Sequence, residues 1–157
     1  MIVDCISYNQ IDGSYDSAIF TASKQKNFDQ AFRAQKSIQD FVFTDGTAEE
    51  SIERKFVKEL DTAAEVCVYA KLPKGFHIPT PVGNYSPDWA IAFNEGAVKH
   101  IFFVAETKGT METLELRPIE IAKISCARKL FNEMPSSNVK YHDVDSYNSL
   151  LDVMNSL

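Results

Sequence analysis

Several things are scarce in this chain of 157 residues, and each scarcity excludes something. There are three cysteines, Cys5, Cys67 and Cys126, far apart and odd in number, with no CxxC pair. The three histidines, His77, His100 and His142, are as scattered, so neither a disulfide framework nor a zinc site is expected, and a reducing, cytoplasmic compartment is. No apolar run is long enough to cross a bilayer, so no membrane partner is expected. The start, MIVDCISYNQ, lacks the basic and apolar segments of a signal peptide. There is no internal repeat and no low-complexity tract. A surplus of positive charge is also missing: the net charge is −6, and a domain so acidic should hold nucleic acid weakly by itself, because phosphate neutralisation carries most of that affinity.

What is present suits one ordinary core: 45% of residues are hydrophobic and 24% charged. Residues 1–46 read as a lead-in that packs on, or links to, a domain over residues 47–157. In the lead-in, Ile2 to Ser7, Ser17 to Phe20 and Ile38 to Phe43 are expected strands, and Phe28, Ala31 and Phe32 predict a helix over Asn27 to Ser37. From Thr47 the pattern sharpens. Thr47-Ala48-Glu49-Glu50 has the form of a capping box, and Ile52, Phe56, Leu60 and Ala63 make one apolar helical face over 48–63. Strands are expected at Glu65 to Leu72, Asp88 to Phe93, His100 to Lys108 and Val139 to Val144. A helix should open at Pro118 with Ile119, Ala122, Cys126, Ala127 and Leu130 on one face. A last helix, capped by Asp145 or Ser146, carries Tyr147, Leu150, Leu151 and Met154. The order helix, strand, strand, strand, helix, strand, helix implies an α/β fold, a mixed central sheet flanked by helices.

Two segments carry the candidate chemistry. Asp88, after Pro87, opens one strand; Glu106-Thr107-Lys108 closes the next. Residues two apart in a strand share a face, so Glu106 and Lys108 belong together. If the two strands pair antiparallel, Asp88 meets them at one end of the sheet. Two carboxylates about 5 Å apart repel by roughly 3 kcal/mol at an effective dielectric of about 20, a cost that a cation offsets. A hard divalent ion such as Mg2+ suits such oxygens, polarises a phosphate and acidifies a bound water. The ammonium of Lys108 can then position that water. A plain ion pair between Glu106 and Lys108 accounts for the second segment as well, with Lys108 relieving part of the repulsion.

At this point a family resemblance enters. The stretch KLPKGFHIPTPVGNYSPDWAIAF (Lys71 to Phe93), then FFVAETKGT (Phe102 to Thr110) and LRPIEIAKISCARKLF (Leu116 to Phe131), resembles the C-terminal endonuclease domain of the restriction subunit of type III restriction-modification enzymes. The likeness runs from about Thr47 to Val144, and its Pro-Gly loop fused to Pro87-Asp88-Trp89 is more specific than the three catalytic letters. It implies the PD-(D/E)XK restriction-endonuclease-like fold and a Mg2+-dependent endonuclease, with Mn2+ as a substitute, acting on double-stranded DNA. In that frame Asp88, Glu106 and Lys108 are catalytic, Glu53 on the first helix is a further acid, and the backbone carbonyl of Thr107 joins Asp88 and Glu106 as a metal ligand. The partners implied are a helicase-like motor domain of the same subunit, which uses ATP, and a modification (methyltransferase) subunit. No GxxxxGK[ST] sequence occurs, so the chain corresponds to the nuclease end alone, and motor and partner would supply the DNA-holding surface missing from a chain of charge −6. One site cuts one strand, so a double-strand break takes two copies or two events.

Two readings compete. The domain is then either a non-catalytic module of the same fold inside a larger DNA-processing assembly or a DNA-repair nuclease. Other residues read more plainly. Lys71, Lys74 and Lys123 are candidates for phosphate contact with a solvated face as the alternative, and Glu120 lies on the same polar side of its helix as Lys123. Trp89 and Tyr85 are expected in packing and His77 in a structural role.

Overall fold

Ser51 starts the first helix. Its extended backbone (φ −61°, ψ 141°) and its hydroxyl, which accepts the Arg54 N–H, stop helical hydrogen bonding one residue before Ile52. The computed structural model describes residues 16–20, 31–44, 51–73, 75–94, 102–107, 118–133, 139–144 and 146–156, with 102–107 as backbone. The first helix, α1, is Ile52–Thr62. The expected capping box at 47–50 lies outside the described residues. Before it come two short strands, β1 (Ala31–Arg33) and β2 (Phe41–Phe43). After it come β3 (Val66–Lys71), β4 (Trp89–Phe93), β5 (Phe102–Thr107), α2 (Pro118–Glu133), β6 (Val139–Val144) and α3 (Tyr147–Asn155).

The main sheet has four strands in the order β3-β4-β5-β6. The first two pairings are antiparallel and the last is parallel. A parallel neighbour needs a crossover, and α2 lies between β5 and β6 in the chain to make it. Along β4, Trp89, Ile91 and Phe93 are buried while Ala90 and Ala92 are half-buried. The buried set packs with Phe56, Val57 and Leu60 of α1 and Leu150 and Met154 of α3. A register shift in β3 between Val66 and Val68 leaves Cys67 exposed, so that Val66 and Tyr69, three apart, both reach that core. The opposite face carries a second cluster, in which Tyr141 of β6 meets Ile124 and Ala127 of α2 and Ile78 and Tyr85 of the loop before β4. The sheet is thus covered on both faces. No helix among the described residues is long and apolar enough to cross a membrane.

Residues 31–44 are fastened to this sheet. β1 and β2 pair antiparallel, Ala31 with Phe43, Phe32 with Val42 and Arg33 with Phe41. Between them the chain runs beside β3: Tyr69 N–H donates to Lys36 O and Ile38 N–H to Tyr69 O, both at 3.1 Å. The carboxylate of Asp61, near the end of α1 and 7% exposed, accepts the N–H groups of Gln35 and Lys36 and the Tyr69 hydroxyl. Lys36 Nζ donates to the carbonyls of Ala63, the C-cap of α1, and of Val66, the first residue of β3, and so sets a cation at the negative end of the helix.

Three expectations need correction. Ser17–Phe20 is a 3-10 turn, not a strand, because the Asp16 side chain takes the Ala18 N–H at 2.7 Å and curls the backbone. The helix expected over Asn27 to Ser37 is replaced, in its described part, by β1 and an irregular stretch that bridges Tyr69 of β3 at Ser37. There Ala31 and Phe32 are held by partners remote in sequence: Arg54 donates to Ala31 O, and its guanidinium lies 5.2 Å from the Phe32 ring centre. Ile119 belongs to no buried face; α2 seats on β6 further along, and the residue is 50% exposed. The expected strand at Ile2 to Ser7 lies outside the described residues. The final helix takes Ser146 as its cap, with the hydroxyl accepting the Ser149 N–H.

Candidate active site

The route into β4 is set by a constrained loop. Ile78 and Tyr85 pair antiparallel through two backbone hydrogen bonds of 2.7 and 2.9 Å, closing a loop over 79–84. Gly83 takes φ +113° at its tip, a conformation that L side chains avoid, and a Cβ there would lie 3.6 Å from the Lys123 side chain of α2. Tyr85 is buried against Tyr141 edge to face at 5.9 Å, and their hydroxyls share a hydrogen bond. Tyr85 therefore serves the packing of the loop. It is followed two residues later by the buried Pro87, so Asp88 enters the sheet from a fixed direction.

The register then brings the acid positions together. Trp89 pairs with Ala105, so Asp88 immediately before it and Glu106 immediately after are adjacent positions on neighbouring antiparallel strands. The Asp88 carbonyl accepts the Leu72 N–H at 2.7 Å, which extends the β3–β4 pairing one step past Lys71↔Trp89. On the far side, Glu106 pairs with Asp143 and Thr107 with Val144 of β6. Backbones of Asp88, Glu106 and Asp143 thus occupy consecutive strands at one end of the sheet. Asp143 is engaged by Arg128 of α2 in an ion pair. Next to it, His142 has its pKa lowered, first by burial and then by the Arg128 charge, with Asp143 opposing. Lys108 and the Glu106 side chain lie outside the description. Among the described residues, no three His, Cys, Asp or Glu side chains converge as a metal site.

Glu53 reaches the same end of the sheet from α1. It lies in the first turn, and its carboxylate pairs with Lys71 Nζ at 2.5 Å. The side chains are 11% and 23% exposed, respectively. Lys71 pairs in register with Trp89, and its ammonium lies 5.6 Å from the centre of that ring. Trp89 is fully buried and packs against Phe56 and Tyr69 with ring centres 5.7 and 6.2 Å away. Lys71 is therefore a strand residue bound to an acid, which its place two residues before Pro73 conceals. The signal was available in the alternation of β3, where a lysine two residues after the buried Tyr69 falls on the core side. Asp143 and Arg128 carry no spacing signal, because only the parallel pairing of β5 and β6 brings them next to Glu106.

The remaining candidates fall elsewhere. His77 makes a 3.3 Å contact from Nδ1 to the Gly75 carbonyl. Lys123 has its stem beside Gly83, and Lys74 lies outside the described residues. The donor chemistry at the end of the sheet is that of oxygen: Asp88, Glu106 and, through its backbone, Thr107 are positioned on adjoining strands. Such a set fits a hard divalent cation better than the N/S ligands that zinc prefers.

A family model described as "Endonuclease domain" matches residues 35–147, well over half of the chain. No curated protein and no solved structure matches it. The match begins at Gln35, where the chain takes its place beside β3.

Proposed function

The chain belongs to the endonuclease-domain family and has a restriction-endonuclease-like α/β fold, and from that premise we propose that it is the Mg2+-dependent DNA-cleaving domain of a type III restriction enzyme. The observation that carries this reading is the register Trp89↔Ala105, which makes Asp88 and Glu106 neighbouring positions at one end of the sheet. Two acid positions so placed raise an electrostatic cost that a cation relieves.

In the proposed site, Asp88 and Glu106 hold a divalent cation, Mg2+ or Mn2+, with the Thr107 carbonyl as a further oxygen. When bound, the ion supplies Lewis-acid polarisation of the scissile phosphate and a more acidic water. Lys108, two residues after Glu106, orients that water and stabilises charge that develops on the phosphate. Glu53 is the further acid, held at 2.5 Å from Lys71. Trp89 keeps the floor beneath dry: it is fully buried, and Phe56 and Tyr69 close around it. The substrate is double-stranded DNA. With a net charge of −6, the domain relies on basic surfaces of a motor domain and a modification subunit to hold it.

The test is cleavage of supercoiled plasmid in Mg2+ by the chain and by Asp88→Ala and Lys108→Ala variants. Each variant is expected to lose about 10²-fold or more in rate while keeping its far-ultraviolet circular dichroism and melting temperature. Retained cleavage by an Asp88→Ala, Lys108→Ala double variant refutes the site.

A further inference from the structure

A four-stranded sheet has two edges, and an edge strand offers its N–H and C=O groups to any strand that comes near. Both edges of this sheet are covered at one buried tyrosine. On β3, the N–H and C=O of Tyr69, 1% exposed, are taken by the main chain at Lys36 and Ile38. On β6, the last strand of the sheet among the described residues, the same two groups of Tyr141, 0% exposed, are taken by a side chain. Asn132, the last residue but one of α2, accepts the Tyr141 N–H on Oδ1 and donates from Nδ2 to the Tyr141 C=O, both at 3.1 Å.

A carboxamide can give and take in this way because it carries the donor and acceptor of a peptide group. A hydrogen-bonded pair of residues on antiparallel strands exchanges these same two bonds. The N–H and C=O of one strand residue point to one side, so those of Tyr141 turn away from β5 toward the outer edge. The strand itself has few of the usual deterrents to a neighbour. It is six residues long without a proline, and its pairing with β5 runs unshifted from Val139 to Val144. It is also compatible with its own copy. In a two-fold antiparallel pairing centred on Tyr141, Lys140 comes opposite His142, a histidine whose lowered pKa leaves it neutral at pH 7, first through burial and then through the Arg128 charge.

We infer that Asn132 closes the β6 edge: its carboxamide fills the place of one residue of a fifth strand and so keeps a second copy of this chain from pairing there edge to edge. The same contact ties the end of α2 to a strand residue nine positions later. A clasp that served only this turn would, when cut, lower stability and nothing more. Closure of an edge predicts a new association as well.

The experiment is sedimentation velocity over a range of concentrations on the full chain and its Asn132→Ala variant, with hydrogen exchange of the β6 amides at the lowest and the highest concentration. Asn132→Ala is expected to tighten self-association about tenfold or more, since pairing restores the bonds that Asn132 made and one net hydrogen bond is worth up to about that factor. In the dilute variant the Tyr141 amide exchanges quickly, and in the concentrated one it regains protection; in the parent chain it is slow at both. Should Asn132→Ala fail to fold, Asn132→Ser, too short to reach both groups of Tyr141, is read in its place. A folded variant that associates no more tightly than the parent, whatever its loss of stability, overturns the inference. So does association that leaves protection of the Tyr141 amide independent of concentration, because the new contact then lies on another surface.

Discussion

Replacing Asp61 by alanine removes one carboxylate and strands three donors. The N–H groups of Gln35 and Lys36 reach it at 2.9 Å and the Tyr69 hydroxyl at 3.0 Å. Tyr69 is 1% exposed, so its hydroxyl has no route to water once the acceptor is gone. A hydrogen bond to a charged group contributes about 1.5–3 kcal/mol, and a buried donor left unmade costs about 1–3 kcal/mol. The two backbone donors are only half-buried and can recover part of that loss from water. The expected cost is about 3–5 kcal/mol, a large share of the roughly 5–15 kcal/mol that holds a domain folded. With a urea dependence near 2 kcal/mol per molar, the unfolding midpoint drops by about 2 M. Tyr69→Phe should cost less, since Asp61 keeps both backbone donors, and the double variant should cost less than the sum. Asp61 also raises the Tyr69 pKa, second only to burial, so the parent chain keeps this phenol protonated well into alkali. Hydrogen exchange gives a local reading: the amides of Ile38 and Tyr69, which bond across the junction with β3, lose protection first. A midpoint shift below about 0.5 M for Asp61→Ala would show that the carboxylate does not anchor residues 35–38.

Two further outcomes follow from buried groups. Tyr85→Phe or Tyr141→Phe alone removes the hydrogen bond between the two buried hydroxyls and should cost about 0.5–1.5 kcal/mol in urea denaturation, and the double variant should cost less than the sum; additive losses would mean that the two hydroxyls do not support each other. The depressed pKa of His142, caused by burial and then by Arg128, means that the unfolded chain binds its proton more readily than the folded one. Stability from this group is therefore full above about pH 6.5 and falls as pH drops through the lower folded value. The melting temperature of the parent chain should fall faster below pH 6.5 than that of His142→Gln, and parallel curves would refute the assignment.

Local pattern was enough where one apolar face met one period. Phe56 and Leu60 announce α1, and Val139 to Val144 has the bounds of β6. The order of elements from α1 to α3 follows, because α1 and α3 each bury one apolar stripe and the strands are short apolar runs set off by turns. The same signal misled at Ala31 and Phe32, where helical spacing coincides with a strand whose partner, Phe41–Phe43, comes later in the chain. Periodicity describes one segment and is blind to what it pairs with.

By itself the sequence determined the composition of the candidate site and the strands that bear it: Asp88 opening one, Glu106 closing the next. Tertiary structure alone decided the rest, because register is a relation between strands. The pairing Trp89↔Ala105 makes the two acid positions neighbours, the parallel strand β6 sets Asp143 beside Glu106, and the packing of α1 on β3 joins Glu53 to Lys71. Those are contacts between residues up to several dozen positions apart, and the free energy that selects them is the burial of Trp89 and its neighbours between the sheet and helices α1 and α3, which no short window of sequence contains.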